Sequence, residues 1–123
     1  MEIHVGTDII EVSRIKDAMK DENFAKRVFT EKEIEYCERR GDLTKYQSYA
    51  ARFAAKEAVF KAISPILNNK YEISWKNIEI LKEENGRPKI NIIDIDLNKI
   101  KIDVSLSHVK ETAVATAIAT IEE

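Results

Sequence analysis

Glu57 stands where a carboxylate is out of place. It falls in TKYQSYAARFAAKEAVFKAI, residues 44–63, where helical spacing sets it on a face shared with Ala50, Phe53, Ala54 and Phe60. Burial on such a face disfavours the ionised carboxylate, so the position demands a compensating charge. Lys61, one turn on, supplies one as an ordinary helical pair, worth ~0.2–0.5 kcal/mol at a surface. A divalent cation shared with a second carboxylate such as Asp8 would supply another, and hard oxygen ligands beside a phosphate substrate would make it magnesium. Spacing alone favours the helical pair.

Other residues offer chemistry and an ordinary role at once. Gly6-Thr7-Asp8 reads as a strand exit as readily as a ligand loop. His108 follows a strand, where it donates to a phosphate or simply faces water. Asn85-Gly86-Arg87-Pro88 is first a hairpin turn, although its arginine and backbone N–H groups suit a phosphate. The chain contains neither Gly-x-x-x-x-Gly-Lys-Ser/Thr nor Gly-x-Gly-x-x-Gly, so the standard nucleotide loops are excluded. A Ser-centred nucleophile elbow is also missing. Cys37 is the single cysteine; it has no zinc-ligand neighbour at a usable spacing and reads as a helix-surface or core thiol.

These residues need elements to hold them. Ile3, Val5, Thr7 and Ile9 alternate with Glu2, His4, Gly6 and Asp8, the pattern of a strand with one apolar face and Asp8 near its end. Val12, Ile15 and Met19 share a face of a short helix, while residues 14–27 interleave Arg14, Lys16, Lys20, Lys26 and Arg27 with Asp17, Asp21 and Glu22, as on a solvated surface. Thr30 and Glu33 form a capping box, with Phe29 and Ile34 as its hydrophobic staple, and that helix stops by Gly41. Residues 44–63 have apolar side chains around most of the circumference, as a central helix packed on several sides requires. Ser64 to Lys76, with Pro65 and Asn68-Asn69, reads as a loop. Asn85-Gly86 is a two-residue hairpin signal between Ile78/Ile80 and the run 90–95. A second hairpin joins Ile102, Val104 and Leu106 to 113–120, where an alanine face leaves room for a close helix.

The expected fold is α+β, with the first strand joining the C-terminal hairpin as a sheet around the central helix. At 123 residues, 44% hydrophobic and 34% charged, the chain fits one domain spanning 1–123. A net charge of −2 argues against nonspecific nucleic-acid binding. The first residues lack the pattern of a secretory leader, and no apolar run is long enough for a membrane span. The expected location is cytoplasmic.

The segments Gly6-Thr7-Asp8-Ile9-Ile10-Glu11-Val12-Ser13-Arg14, Phe29-Thr30-Glu31-Lys32-Glu33, Arg52 through Ala62, Asn85-Gly86-Arg87-Pro88 and Leu106-Ser107-His108 together resemble the holo-acyl-carrier-protein synthase family. This is the small bacterial class of phosphopantetheinyl transferases, and the resemblance spans nearly the whole chain. It implies transfer of 4′-phosphopantetheine from coenzyme A to a serine of apo acyl carrier protein, releasing adenosine 3′,5′-bisphosphate in support of fatty acid biosynthesis. It also implies that Asp8 and Glu57 hold Mg2+ and that Lys61 contacts the phosphates and assists the leaving group. By the same resemblance, Arg52, Asn85, Gly86, Arg87, Pro88, Ser107 and His108 cradle coenzyme A, and Arg14 docks the acidic carrier. Family members are homotrimers with sites at subunit boundaries. The chain departs from the family at Ser64-Pro65-Ile66-Leu67, where a glycine-containing loop is usual, and at Val109, where a small hydroxyl residue is common. The alternative reading is a non-catalytic pantetheine- or nucleotide-binding subunit of the same fold.

Overall fold

The computed structural model describes residues 1–42, 44–67, 73–97 and 99–122. Strand β1 (Glu2–Glu11) leads into helices α1 (Val12–Ala18), α2 (Glu22–Val28), α3 (Glu31–Glu38) and α4 (Lys45–Ile63). Strands β2 (Ile78–Lys82), β3 (Pro88–Ile92), β4 (Ile100–His108) and β5 (Thr112–Ile121) follow. The strands form an antiparallel sheet of order β1-β5-β4 and a separate β2-β3 hairpin. This is the expected α+β arrangement, with β1 beside the C-terminal hairpin.

Helix α4 is central because it has no solvated face to spare. Tyr49, Ala50, Ala54, Ala55, Ala58, Val59, Ala62 and Ile63 are all fully buried. One side packs on Ala115, Ala117 and Ala119 of β5 and on Val104, with Ile78 and Ile80 completing that core. The other side meets Val12, Ile15, Val28 and Cys37 of the first three helices and Phe29 between α2 and α3. Small residues on both surfaces bring helix and sheet together. Gly6 marks the tightest approach: a Cβ there would lie 2.0 Å from the Ala58 carbonyl oxygen and 2.7 Å from the Ala62 nitrogen.

Strand β1 corrects the expectation drawn from its alternation. Ile3, Val5 and Ile9 face away from α4 and are 59%, 61% and 67% exposed. The face of His4, Gly6 and Asp8 meets the helix instead, because only the glycine permits the close approach. Ile118 of β5 is also exposed, and it shares the outer face with Val5, with which it is paired.

The capping box forms as expected, with Glu33 N–H donating to Thr30 Oγ1 at 3.3 Å and Thr30 N–H to Glu33 Oε1 at 2.8 Å. The β2-β3 turn differs in detail. Gly86 N–H donates to the Glu83 carbonyl at 2.9 Å and Glu83 N–H to that of Arg87 at 2.8 Å, while Gly86 has φ 87°. Glu84 and Asn85 therefore occupy the central turn positions, and Gly86 is the left-handed residue after them rather than half of a two-residue loop. Ser64–Ile66 and Trp75–Asn77 form short 3-10 turns in the stretch expected as a loop; Asn68-Asn69 lie outside the described residues. No described helix is long and apolar enough to cross a membrane.

Candidate active site

A cleft of about 520 Å3 opens between α4, the β2-β3 turn and the β4 edge of the sheet. Arg52, Gly86, Arg87, Pro88 and His108, all expected in a cradle, line it. Arg40 and Lys82 line it too, and neither was marked by the sequence. Arg40 reads in isolation as a cation suited to a helix C-terminus, and Lys82 as an ordinary strand end. Asp103 is the one acidic residue in the lining, and Arg87 lies 3.9 Å from it. The result is a concentrated positive surface in a chain of net charge −2. Asn85 does not line the cleft but holds the turn, accepting from Arg87 N–H at 3.0 Å. Ser107 is exposed on β4, paired with Val114.

Arg52 is buried and held before any ligand arrives. Its Nε donates to the Ile80 carbonyl at 3.1 Å, its Nη1 to Ser48 Oγ at 2.9 Å, and its guanidinium lies 4.2 Å from the Tyr36 ring centroid. Nη2 has no protein acceptor among the described residues. A planar fork anchored at two nitrogens is suited to giving its remaining donors to a phosphate.

Asp8, Glu57 and Lys61 do not line this cleft. Lys61 reaches across 53 positions to Asp8, with Nζ 3.2 Å from Oδ1 and 2.8 Å from the Thr7 carbonyl. Gly6 explains the contact, since it lets β1 lie against the last turns of α4. The expected Glu57–Lys61 helical pair is therefore not formed. Glu57 is half-buried rather than enclosed, and its Oε1 accepts from the Trp75 indole at 2.8 Å. Asp8 Oδ2 and Glu57 Oε2 have no protein partner among the described residues.

The enclosed charges are Lys56 and Glu33, both 0% exposed and 2.8 Å apart. Lys56 Nζ also donates to the carbonyls of Trp75 at 2.9 Å and Ile78 at 2.5 Å. Glu33 Oε2 accepts from Ile80 N–H at 2.9 Å. Burial pulls the Lys56 pKa below the ordinary lysine range, and the neighbouring Glu33 carboxylate opposes that shift. Three acceptors around Nζ match the three donors of the ammonium form. Sequence reading missed this pair because the capping box already accounts for Glu33. The surplus signal was Lys56 itself, a charge on a helix with no polar face.

Arg14 is exposed on α1 and makes no ion pair among the described residues, Asp17 being engaged with Lys20 at 3.3 Å. Cys37 is buried; its thiol donates to Ser48 Oγ at 3.4 Å, and burial pushes its pKa up. It does not join the candidate site.

The 4′-phosphopantetheinyl transferase superfamily model matches residues 4–119. A holo-[acyl-carrier-protein] synthase from Ruminiclostridium cellulolyticum is 46% identical over 129 residues, covering 98% of this chain and 94% of the relative. Among solved structures, a holo-(acyl-carrier-protein) synthase from Bacillus anthracis in complex with CoA (3′,5′-ADP) has a TM-score of 0.81 at 31% identity, over 97% and 96% of the two chains. The Helicobacter pylori holo-[acyl-carrier-protein] synthase in complex with coenzyme A has a TM-score of 0.79 at 30% identity, over 94% and 99%. The family match and these likenesses run over nearly the whole chain, and the protein belongs to the holo-acyl-carrier-protein synthase family.

Proposed function

We propose that the cationic cleft holds the phosphates of coenzyme A and that this chain moves the 4′-phosphopantetheine arm from there to a serine of apo acyl carrier protein, releasing adenosine 3′,5′-bisphosphate. The observation that carries this reading is the convergence of Arg40, Arg52, Lys82, Arg87 and His108 on one cleft. Such a surface selects an anionic ligand such as a chain of phosphates. Arg52 supplies a directed fork, whereas Arg87 on the turn supplies an exposed charge.

Asp8 and Glu57 are proposed to hold Mg2+ together. Each has an oxygen without a protein partner, and both are hard donors. Two carboxylates are enough for an ion that keeps waters and substrate phosphates as its other ligands. When bound there, magnesium would polarise phosphoryl oxygens and offset charge developing on the leaving nucleotide. Lys61, at Asp8 and half-exposed, is proposed to swing its ammonium from that carboxylate to a phosphate. The serine hydroxyl of the carrier attacks the β-phosphate in line, and positioning with electrostatics accounts for most of the catalysis.

The division of these residues between a cleft and a separate Asp8–Lys61 contact supports a site completed by association. A homotrimer would cover the exposed Ile3, Val5, Ile9 and Ile118 and bring one subunit's cleft to another's carboxylates. Arg14 is proposed to meet the acidic carrier. The setting that goes with this activity is the cytoplasm and fatty acid biosynthesis.

The test is mass spectrometry of an apo carrier protein incubated with the full chain, coenzyme A and magnesium. A carrier gaining the phosphopantetheine mass, and not gaining it when a chelator is present, is the expected result. Binding of coenzyme A without transfer to any carrier would instead identify a non-catalytic ligand-binding subunit.

A further inference from the structure

Adjacent residues of α4 grip opposite ends of one tryptophan. Lys56 donates to the Trp75 carbonyl at 2.9 Å, and Glu57 accepts from the Trp75 indole at 2.8 Å. Resting on the reading of Glu57 as a metal ligand, we infer that Trp75 is a positioning residue: its indole N–H fixes Oε1 of Glu57 and so sets where Oε2 stands.

The turn that carries Trp75 is anchored well enough to do this. Ser74 N–H donates to Asn77 Oδ1 at 2.8 Å, closing the turn on itself. Asn77 Nδ2 donates to the Ile93 carbonyl at 2.7 Å, and Ile93 N–H returns to the Asn77 carbonyl at 2.8 Å, which ties the turn to the end of β3. Lys56 is itself immobilised by Glu33 inside the core. The indole ring stands edge-on to Phe53, with centroids 6.2 Å apart at 85°, so its orientation is set by packing one turn before Glu57 as well as by the hydrogen bond. An indole carries one donor and no acceptor. It therefore orients a carboxylate without adding a charge that would compete with a cation, unlike Lys61 on Asp8. Groups of this kind, holding a ligand from behind, commonly change metal affinity by roughly 10- to 100-fold when removed.

Trp75→Phe keeps an aromatic ring, though a smaller one, and removes the N–H. Binding of Mn2+ alone to the full-length chain, read by electron paramagnetic resonance of the free ion, should weaken about 10-fold, with the far-UV spectrum and subunit state unchanged. Unaltered Mn2+ affinity in a folded Trp75→Phe protein overturns the assignment. Should that variant fail to fold, the native chain still decides, because Trp75 is its single tryptophan. Its emission should change on saturation with Mg2+ and should not change in Glu57→Gln; an emission indifferent to Mg2+ in the native chain overturns the inference. Glu57→Ala separates the two levels of the argument. Retained Mn2+ affinity there removes the metal reading itself, whereas lost affinity there with native affinity in Trp75→Phe removes only the role of the indole.

Discussion

A charged side chain on a packed helix is either neutralised inside the core or presented at its rim, and α4 contains both cases side by side. Lys56 is enclosed with Glu33, and every donor on its ammonium is used. Glu57, the next residue, has one oxygen bound by an indole and the other without a protein partner among the described residues. The two should respond differently to removal. Lys56→Met leaves the Glu33 carboxylate buried without its cation and should cost about 3–5 kcal/mol, measured as a lowered denaturant midpoint. Glu57→Ala should unfold at nearly the native midpoint and give no detectable transfer. Cys37 offers a control: buried with a raised pKa, it should resist a thiol-specific disulfide reagent in the folded chain and react fully in denaturant. Rapid reaction of the native protein would show that the α3–α4 contact opens readily.

At the scale of elements, the decisive contact is β1 against α4. The missing Cβ of Gly6 lets the strand reach the backbone at Ala58 and Ala62, and Asp8, two residues along the same face, thereby arrives at Lys61. Gly6→Ala must push the strand off the helix. Overpacking of this kind costs about 1–3 kcal/mol or more, and here it should also weaken transfer by more than the lost stability explains, because it moves one carboxylate relative to the other. A variant with native stability and native activity would show that the contact has slack. Thr30 ties α3 to the hairpin: besides capping its own helix, its hydroxyl donates to buried Glu79 at 2.5 Å. The cap was legible in Thr-x-x-Glu because both residues lie within one turn. The Glu79 contact, 49 positions away, was not.

For the whole molecule, the outer face of the sheet is the feature a lone chain leaves unexplained. Ile3, Val5 and Ile9 are exposed on one face of β1, an apolar surface that the proposed trimer would cover. Val5→Asp should therefore dissociate the proposed trimer in light scattering and abolish transfer. Mixing Asp8→Ala with Arg87→Ala, an exposed residue of the cleft, should restore part of the activity if one site draws on two subunits; no recovery after verified subunit exchange would assign both sets to one chain. Arg14 is the residue proposed to meet the carrier. Exposed charges steer partners through a field screened over ~8 Å at physiological salt, so Arg14→Glu should raise the KM for carrier protein at low salt and leave that for coenzyme A nearly unchanged. An unaltered carrier KM would remove Arg14 from the docking surface.

By itself the sequence determined whatever depends on neighbours along the chain: the α4 helix from its unbroken run, the α3 cap from Thr30 and Glu33, the alanine face of β5 from its alternation, and the family from motifs held in order. The tertiary structure alone decided which face of β1 is covered, that Lys61 pairs with Asp8 rather than with Glu57, that Lys56 rather than Glu57 is the enclosed charge, and that Arg40 and Lys82 join the cleft. The physical reason is one of range. Caps and periodic faces are set by interactions within a turn or two, whereas these choices depend on which backbones can approach closely. For β1 and the Lys61–Asp8 pair, that approach is decided by a single absent Cβ at Gly6 meeting the helix 52 residues later at Ala58.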